Sequence, residues 1–138
     1  MQEKFKQHVW NSGLKITAPR LEVFRFLQRN DLTTVSATLT NLSGRADRAS
    51  IYRTIALFRK LGIIHDVVAG GKQMIELTDG FSSHHHHLSC LKCGKSEAVS
   101  DQKLESDLDR ISKKKGFRPI SHQIEINGIC PSCLEITK

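Results

Sequence analysis

Two sets of residues in this 138-residue chain have the types and spacing for metal chemistry. Cys90 and Cys93 form one Cys-x-x-Cys pair, Cys130 and Cys133 another, and together they are all four cysteines of the sequence. Each pair makes a compact knuckle that aims two thiolates at one ion, and Gly94 eases the backbone after the first. Two knuckles give a closed set of four thiolates, which structural zinc prefers, and would clip together the ends of the stretch between them. The alternatives are disulfides, which belong to oxidising compartments, and a redox Cys-x-x-Cys, which would not need two copies.

Directly before the first knuckle stand four consecutive histidines, residues 84–87. If they enter a strand continuing into Leu88, successive side chains point to opposite faces. His84 and His86 then serve one side and His85 and His87 the other. That order suits two ions with two imidazoles each better than one ion with four. Glu105 and His122 are the natural partners for one site, and the acids Asp66, Glu76 and Asp79 for the other. The plain alternatives are a histidine tract that holds no particular ion, a solvated helix carboxylate for Glu105 and a packed strand histidine for His122. His8 and His65 read as ordinary surface residues. A hydrolytic zinc site would need an open position and a general base. The sequence has neither a His-Glu-x-x-His pattern nor a nucleophile elbow, so it reads as no enzyme and implies no organic small-molecule substrate.

Positioning these residues requires two modules. Phe5, Val9 and Trp10 fall at helical spacing, and Asn11, Ser12 and Gly13 end that segment. Thr17 is a plausible N-cap, with Pro19 in the first turn, and Leu21, Val23, Phe24 and Leu27 form the next apolar stripe. A third helix fits residues 36–42. A fourth opens at Asp47 or Ser50 and runs through Ile51, Ile55, Phe58 and Leu61 to Gly62. Residues 63–68 and 72–77 flank Ala69, Gly70 and Gly71 as a hairpin. Helices followed by a hairpin describe a winged helix-turn-helix, whose last helix enters the major groove. Arg45, Arg48, Arg53, Arg59 and Lys60 cluster around that helix. Residues 79–83 read as a hinge. Beyond it come a strand through residues 87–89, another near 96–99, a helix over about 101–115 and an alternating strand over 117–127. The fold class is α+β: a winged helix-turn-helix DNA-binding domain over residues 1–78, then a small α/β dimerisation domain over 84–138.

Charge agrees with that division. The chain carries a net +7; residues 1–80 hold 12 basic and 7 acidic side chains, and the remainder hold 9 and 7. A basic first module suggests an acidic partner, nucleic acid being the commonest. No apolar run is long enough for a membrane span, and the start lacks the features of a secretory signal, which points to the cytoplasm.

Six stretches in order then carry a resemblance: GLKITAPR (13–20), VSA (35–37), RASIYRTIALFRKLGII (48–64), GGKQMIELT (70–78), HHHHLSCLKCGK (84–95) and GICPSC (128–133). Along nearly its whole length the chain resembles the ferric uptake regulator family of bacterial metal-responsive repressors. The resemblance implies a homodimer on double-stranded operator DNA, with a hinge that metal stiffens. It places Arg48, Ser50, Tyr52 and Arg53 in the recognition helix, Lys15 in a loop reaching the minor groove, and Arg20 near the phosphates. It assigns the four cysteines to structural zinc, His84, His86, Glu105 and His122 to one regulatory ion, and Glu76, His85 and His87 to a second.

Two departures stand out. Iron sensors of the family often have Asp where this chain has His86. Many members also have a histidine just before VSA, where this chain has Thr33 and Thr34, so the second site is either completed otherwise, with Asp66 the candidate, or weaker or vestigial. An imidazole in place of an oxygen ligand favours zinc, so the expectation leans to the zinc uptake regulator branch. Iron(II), peroxide or manganese sensing is the alternative. A zinc buffer or chaperone is the rival from another class, and it leaves the Tyr52-Arg53 helix unexplained.

Overall fold

A computed structural model describes residues 1–136. The chain divides into two compact units, one of Met1–Val68 with Lys72–Ser83, the other of Ala69–Gly71 with the chain from His84 onward.

The first unit contains α1 (Gln2–Asn11), α2 (Ala18–Arg29), α3 (Val35–Leu42), α4 (Arg48–Lys60), β1 (Ile64–Ala69) except its last residue, and β2 (Lys72–Leu77). Each helix starts where its sequence offers a start. Thr34 caps α3 by accepting from the Ala37 amide, Asp47 caps α4 by accepting from the Ser50 amide, and Pro19 sits in the first turn of α2. The apolar stripes then meet. Phe5 stacks on Phe24 at 4.0 Å and meets Phe58 edge-on at 5.5 Å, and Val9, Val23, Ile51 and Ile55 close the core around them. Trp10, by contrast, is exposed. β1 and β2 pair as a two-stranded wing. Its turn is Gly70-Gly71, with φ of 59° and 76°, a left-handed conformation that glycine adopts without strain.

Two expectations for this unit change. Residues 79–83 read as a polar hinge, yet Phe81 among them is 5% exposed and packs edge-on to Phe24 and His8. One aromatic has no periodicity to reveal that it is buried. His8, read as an ordinary surface residue, is half-buried, with Nε2 2.8 Å from the Leu61 carbonyl.

The second unit contains β3 (His86–Cys90), β4 (Ser96–Val99), α5 (Gln102–Lys114), β5 (Glu125–Gly128) and α6 (Pro131–Ile136). The sheet order is β4-β3-β5, with β4 antiparallel and β5 parallel to the central strand. A parallel pair needs a crossover, and α5 lies in that connection. Asp101 caps α5 by accepting from the Leu104 amide. The strand expected over 117–127 is cut to Glu125–Gly128. Those four residues pair with 87–90, whereas 117–124 are assigned no strand, and Ile120 is 96% exposed. Alternation defines a face, but a strand also needs a neighbour. The short helix α6 went unforeseen, because six residues are too few to show a helical period. Among the described residues no helix is long and apolar enough to cross a membrane.

Candidate metal centres and nucleic-acid interface

The two cysteine knuckles converge in the second unit. All four Sγ atoms lie within 4.8 Å of one another, the cysteines are unbridged, and Cys93 Sγ is 3.7 Å from Cys130 Sγ. Zinc–sulfur bonds of about 2.3 Å give a tetrahedral edge of about 3.8 Å, so this donor set fits zinc. Backbone turns hold the set. The Cys90 amide donates to the Lys95 carbonyl and the Gly94 amide to the Cys90 carbonyl, while the Cys133 and Leu134 amides donate to the Cys130 carbonyl. The Cys130 amide also points at Cys90 Sγ, 3.3 Å away. Amides of Cys93 and Cys130 bring the Cys90 thiol down to about 6, so it is largely thiolate near neutrality. Hydrogen bonding with Cys130, then burial, pushes Cys133 up to about 12.

A second cluster gathers His84, His86, Glu105 and His122, with donor atoms again within 4.8 Å of one another. Glu105 organises it from the first turn of α5. Its Oε1 lies 2.6 Å from His86 Nε2 and 3.4 Å from His84 Nε2, and its Oε2 lies 3.0 Å from His122 Nε2. His84 and His122 meet Nε2 to Nε2 at 3.0 Å. Metal–nitrogen bonds of about 2.05 Å would set tetrahedral donors about 3.3 Å apart, so three imidazoles and one carboxylate fit a divalent ion here. The hydrogen bond from His86, with the charges of His122 and His84, holds the Glu105 carboxyl below its usual range. That keeps it ionised and ready to serve as a ligand.

The histidine run alternates as a strand requires. His84 and His86 join this cluster. His85 and His87 instead face each other edge-on, with ring centroids 4.8 Å apart. In the first unit Glu76 is 6% exposed on β2, with Oε1 2.9 Å from His65 Nε2. Asp66 is elsewhere engaged, because Arg59 grips both its oxygens with contacts of 2.9–3.1 Å. It is not among the clustered donors. Asp66, the candidate to complete the second site, is here paired with Arg59. His65, read as a surface residue, is bound to a buried carboxylate. A usable signal was present: residues 65 and 76 lie symmetrically about Gly70-Gly71, so the hairpin register itself makes them opposite neighbours.

The basic face of the first unit centres on α4. Arg48, Tyr52 and Arg53 are exposed in its first turns, and the Arg48 guanidinium lies 5.8 Å from the Tyr52 ring centroid. The Ser50 hydroxyl donates to Asp47 at 2.6 Å, and Arg53 Nη2 donates to Ser50 Oγ at 3.4 Å. Arg20 and Arg53 line one open groove with Thr17 and Ser50, and Arg20 also donates to the Lys15 carbonyl. Arg48 and Arg53 thus sit on α4, Arg20 in the first turn of α2, and Lys15 on the loop that leads into it.

Comparison with known proteins gives one consistent result. The ferric uptake regulator family matches residues 11–127. The ferric uptake regulation protein of Legionella pneumophila is 35% identical over 134 residues, covering 92% of this chain and 96% of that protein. The Escherichia coli K12 protein of the same name is 36% identical over 126 residues, covering 86% and 83%. The crystal structure of the Vibrio cholerae ferric uptake regulator superposes with a TM-score of 0.74 at 30% identity, covering 91% of this chain and 98% of that one.

Proposed function

The chain belongs to the ferric uptake regulator family of metal-responsive transcription regulators, and from that premise we propose that it represses metal-homeostasis genes as a cytoplasmic homodimer on operator DNA. The observation that carries the reading is the separation of two donor sets on one strand, thiolates at one end of β3 and imidazoles at the other.

Cys90, Cys93, Cys130 and Cys133 would hold structural zinc. His84, His86, Glu105 and His122 would hold a regulatory ion, which when bound supplies positive charge and a fixed cross-link among these side chains. Glu76, His85 and His87 are carried forward, on the sequence match, as donors to a second. Arg48, Ser50, Tyr52 and Arg53 would read the major groove, with Lys15 and Arg20 on the adjacent backbone and minor groove. Dimerisation through the second unit is supported by the apolar surface left open there: Ile111, Phe117, Ile120 and Ile126 are each more than half exposed. Dimer symmetry would then present two recognition helices to the half-sites of a near-palindrome.

For the regulatory ion, iron(II) is favoured by the relatives with 35–36% identity, which bear ferric names. Zinc, and with it the zinc uptake regulator branch, is the second reading. It is supported by the imidazole of His86 within a donor set of three nitrogens and one carboxylate. The test is selection of duplexes from a random pool by the protein loaded with iron(II) or with zinc. A near-palindrome enriched with one ion identifies operator and metal together; no enrichment with either defeats the reading.

A further inference from the structure

We infer that His8, Thr78 and Phe81 are positioning residues for the recognition helix: they clamp the exit of α4 to residues 79–83, the stretch that continues in sequence into His84. The inference rests on the reading above that DNA binding responds to the ion at the histidine cluster, and it names the side chains through which that response reaches α4. All three clamp residues lie in the first unit.

The first observation is how α4 ends. Gly62, at a φ of 67°, turns the chain out of the helix, and the amides of Gly62 and Ile63 close back on the Arg59 and Phe58 carbonyls. Further on, three successive carbonyls, of Leu61, Gly62 and Ile63, accept from groups outside the helix. His8, on α1, meets the Leu61 carbonyl with Nε2 at 2.8 Å; a carbonyl only accepts, so this nitrogen carries the proton. The Thr78 hydroxyl donates to the Gly62 carbonyl at 2.8 Å, and the Thr78 amide donates to the Ile63 carbonyl at 2.9 Å.

The second observation is that the same residues hold the stretch after β2. The Thr78 carbonyl accepts from the Phe81 amide at 2.8 Å and from the Ser82 amide at 3.1 Å, so residues 78–82 form a turn built on Thr78. Phe81 is buried, with its ring edge-on to His8 at 5.3 Å and to Phe24 at 6.2 Å, and Lys4 Nζ lies 5.7 Å from its centroid. His8 therefore holds α4 with a nitrogen and Phe81 with its ring. Thr78 holds α4 with its hydroxyl and amide and the turn with its carbonyl. A displacement of residues 79–83 reaches the last turn of α4 by two routes, one aromatic and one polar. Arg48, Tyr52 and Arg53 stand on the same continuous helix, so a tilt set at its exit is carried to them.

A plain structural role is the alternative, in which the three residues stabilise the first unit and do no more. The experiment uses full-length protein with the thiolate-bound zinc retained, zinc as the probe ion and the duplex selected as above. Fluorescence anisotropy gives operator affinity with the histidine sites stripped and then filled. Thr78→Val keeps the shape but removes the hydroxyl, and it should cut the filled-to-stripped ratio by about threefold or more, as the loss of one hydrogen bond implies. Thr78→Ser keeps the hydroxyl and should hold the wild-type ratio, whereas His8→Leu should act like Thr78→Val. A wild-type ratio in Thr78→Val or His8→Leu overturns the inference alone, however far the melting temperature falls. No enriched duplex, or a ratio of one in wild type, overturns the functional reading and the inference with it. A measurement on wild type needs no variant: hydrogen exchange should show the Thr78, Phe81 and Ser82 amides gaining protection with those of Leu61, Gly62 and Ile63 as zinc fills the histidine sites. Protection gained in only one of these two groups, or in neither, contradicts the proposal.

Discussion

The thiolate cluster and the histidine cluster share one strand and differ in what holds them. β3 carries His86 and His87 at one end and Cys90 at the other. The cysteines sit in two tight knuckles, each shaped by its own backbone hydrogen bonds, and an ion would clip the two together. The histidine cluster draws on β3, the residue two before it, α5 and the segment leading to β5, and its donors contact one another. A closed set of four thiolates whose ion contributes folding energy suits permanent occupancy. A site drawn from separated elements changes the freedom of those elements when it fills, and so suits sensing. By linkage, filling it can tighten DNA binding only through preference for the DNA-competent arrangement.

The largest effect expected from this contrast is on the thiolate side. Cys90→Ser should lose zinc and, with it, the folded second unit and the dimer, because structural zinc in small motifs contributes about 10–16 kcal/mol to folding. Zinc content and sedimentation velocity check this; a folded zinc-free dimer would erase the distinction. Next comes His122→Ala, which should stay folded and dimeric with its thiolate zinc, yet bind regulatory metal about 100-fold or more weakly. Chelator competition measures it, and an unfolded product would make both sites structural.

Arg53→Ala should weaken operator binding by about 1–3 kcal/mol while metal affinity is unchanged. Fluorescence anisotropy at fixed salt follows the first quantity and chelator competition the second. The smallest effect belongs to Asp66→Asn. Its ion pair with Arg59 is 39% exposed on both sides, so the loss should be under about 1 kcal/mol, with metal stoichiometry unchanged. A lost ion in that variant would restore Asp66 as a ligand.

Much of this was legible in the sequence, for identifiable reasons. Strong local signals carried through: the cap Asp47, the Gly70-Gly71 turn, and the alternation that sends His84 and His86 to one side and His85 and His87 to the other. What failed depended on neighbours distant in sequence. Residues 117–124 alternate as a strand should but are assigned no strand, and the ladder with β3 begins only where the Ile124 carbonyl accepts from the His87 amide. Phe81 is buried by α1 and α2, which nothing adjacent to it announces. Asp66 looked like a free acid until Arg59, seven residues earlier, was seen to hold it. His65 looked solitary because strand register, rather than sequence proximity, brings Glu76 to it.

The central claim is that one site holds the fold and the other reports metal. Its most direct test is the affinity of the protein for its selected operator, measured with the thiolate zinc retained and the histidine sites first stripped, then filled. The account predicts weak binding when they are stripped and binding at least tenfold tighter when they are filled, on the order of 1.4 kcal/mol or more of coupling, with the dimer intact in both states. Equal DNA affinity in the two states would contradict it.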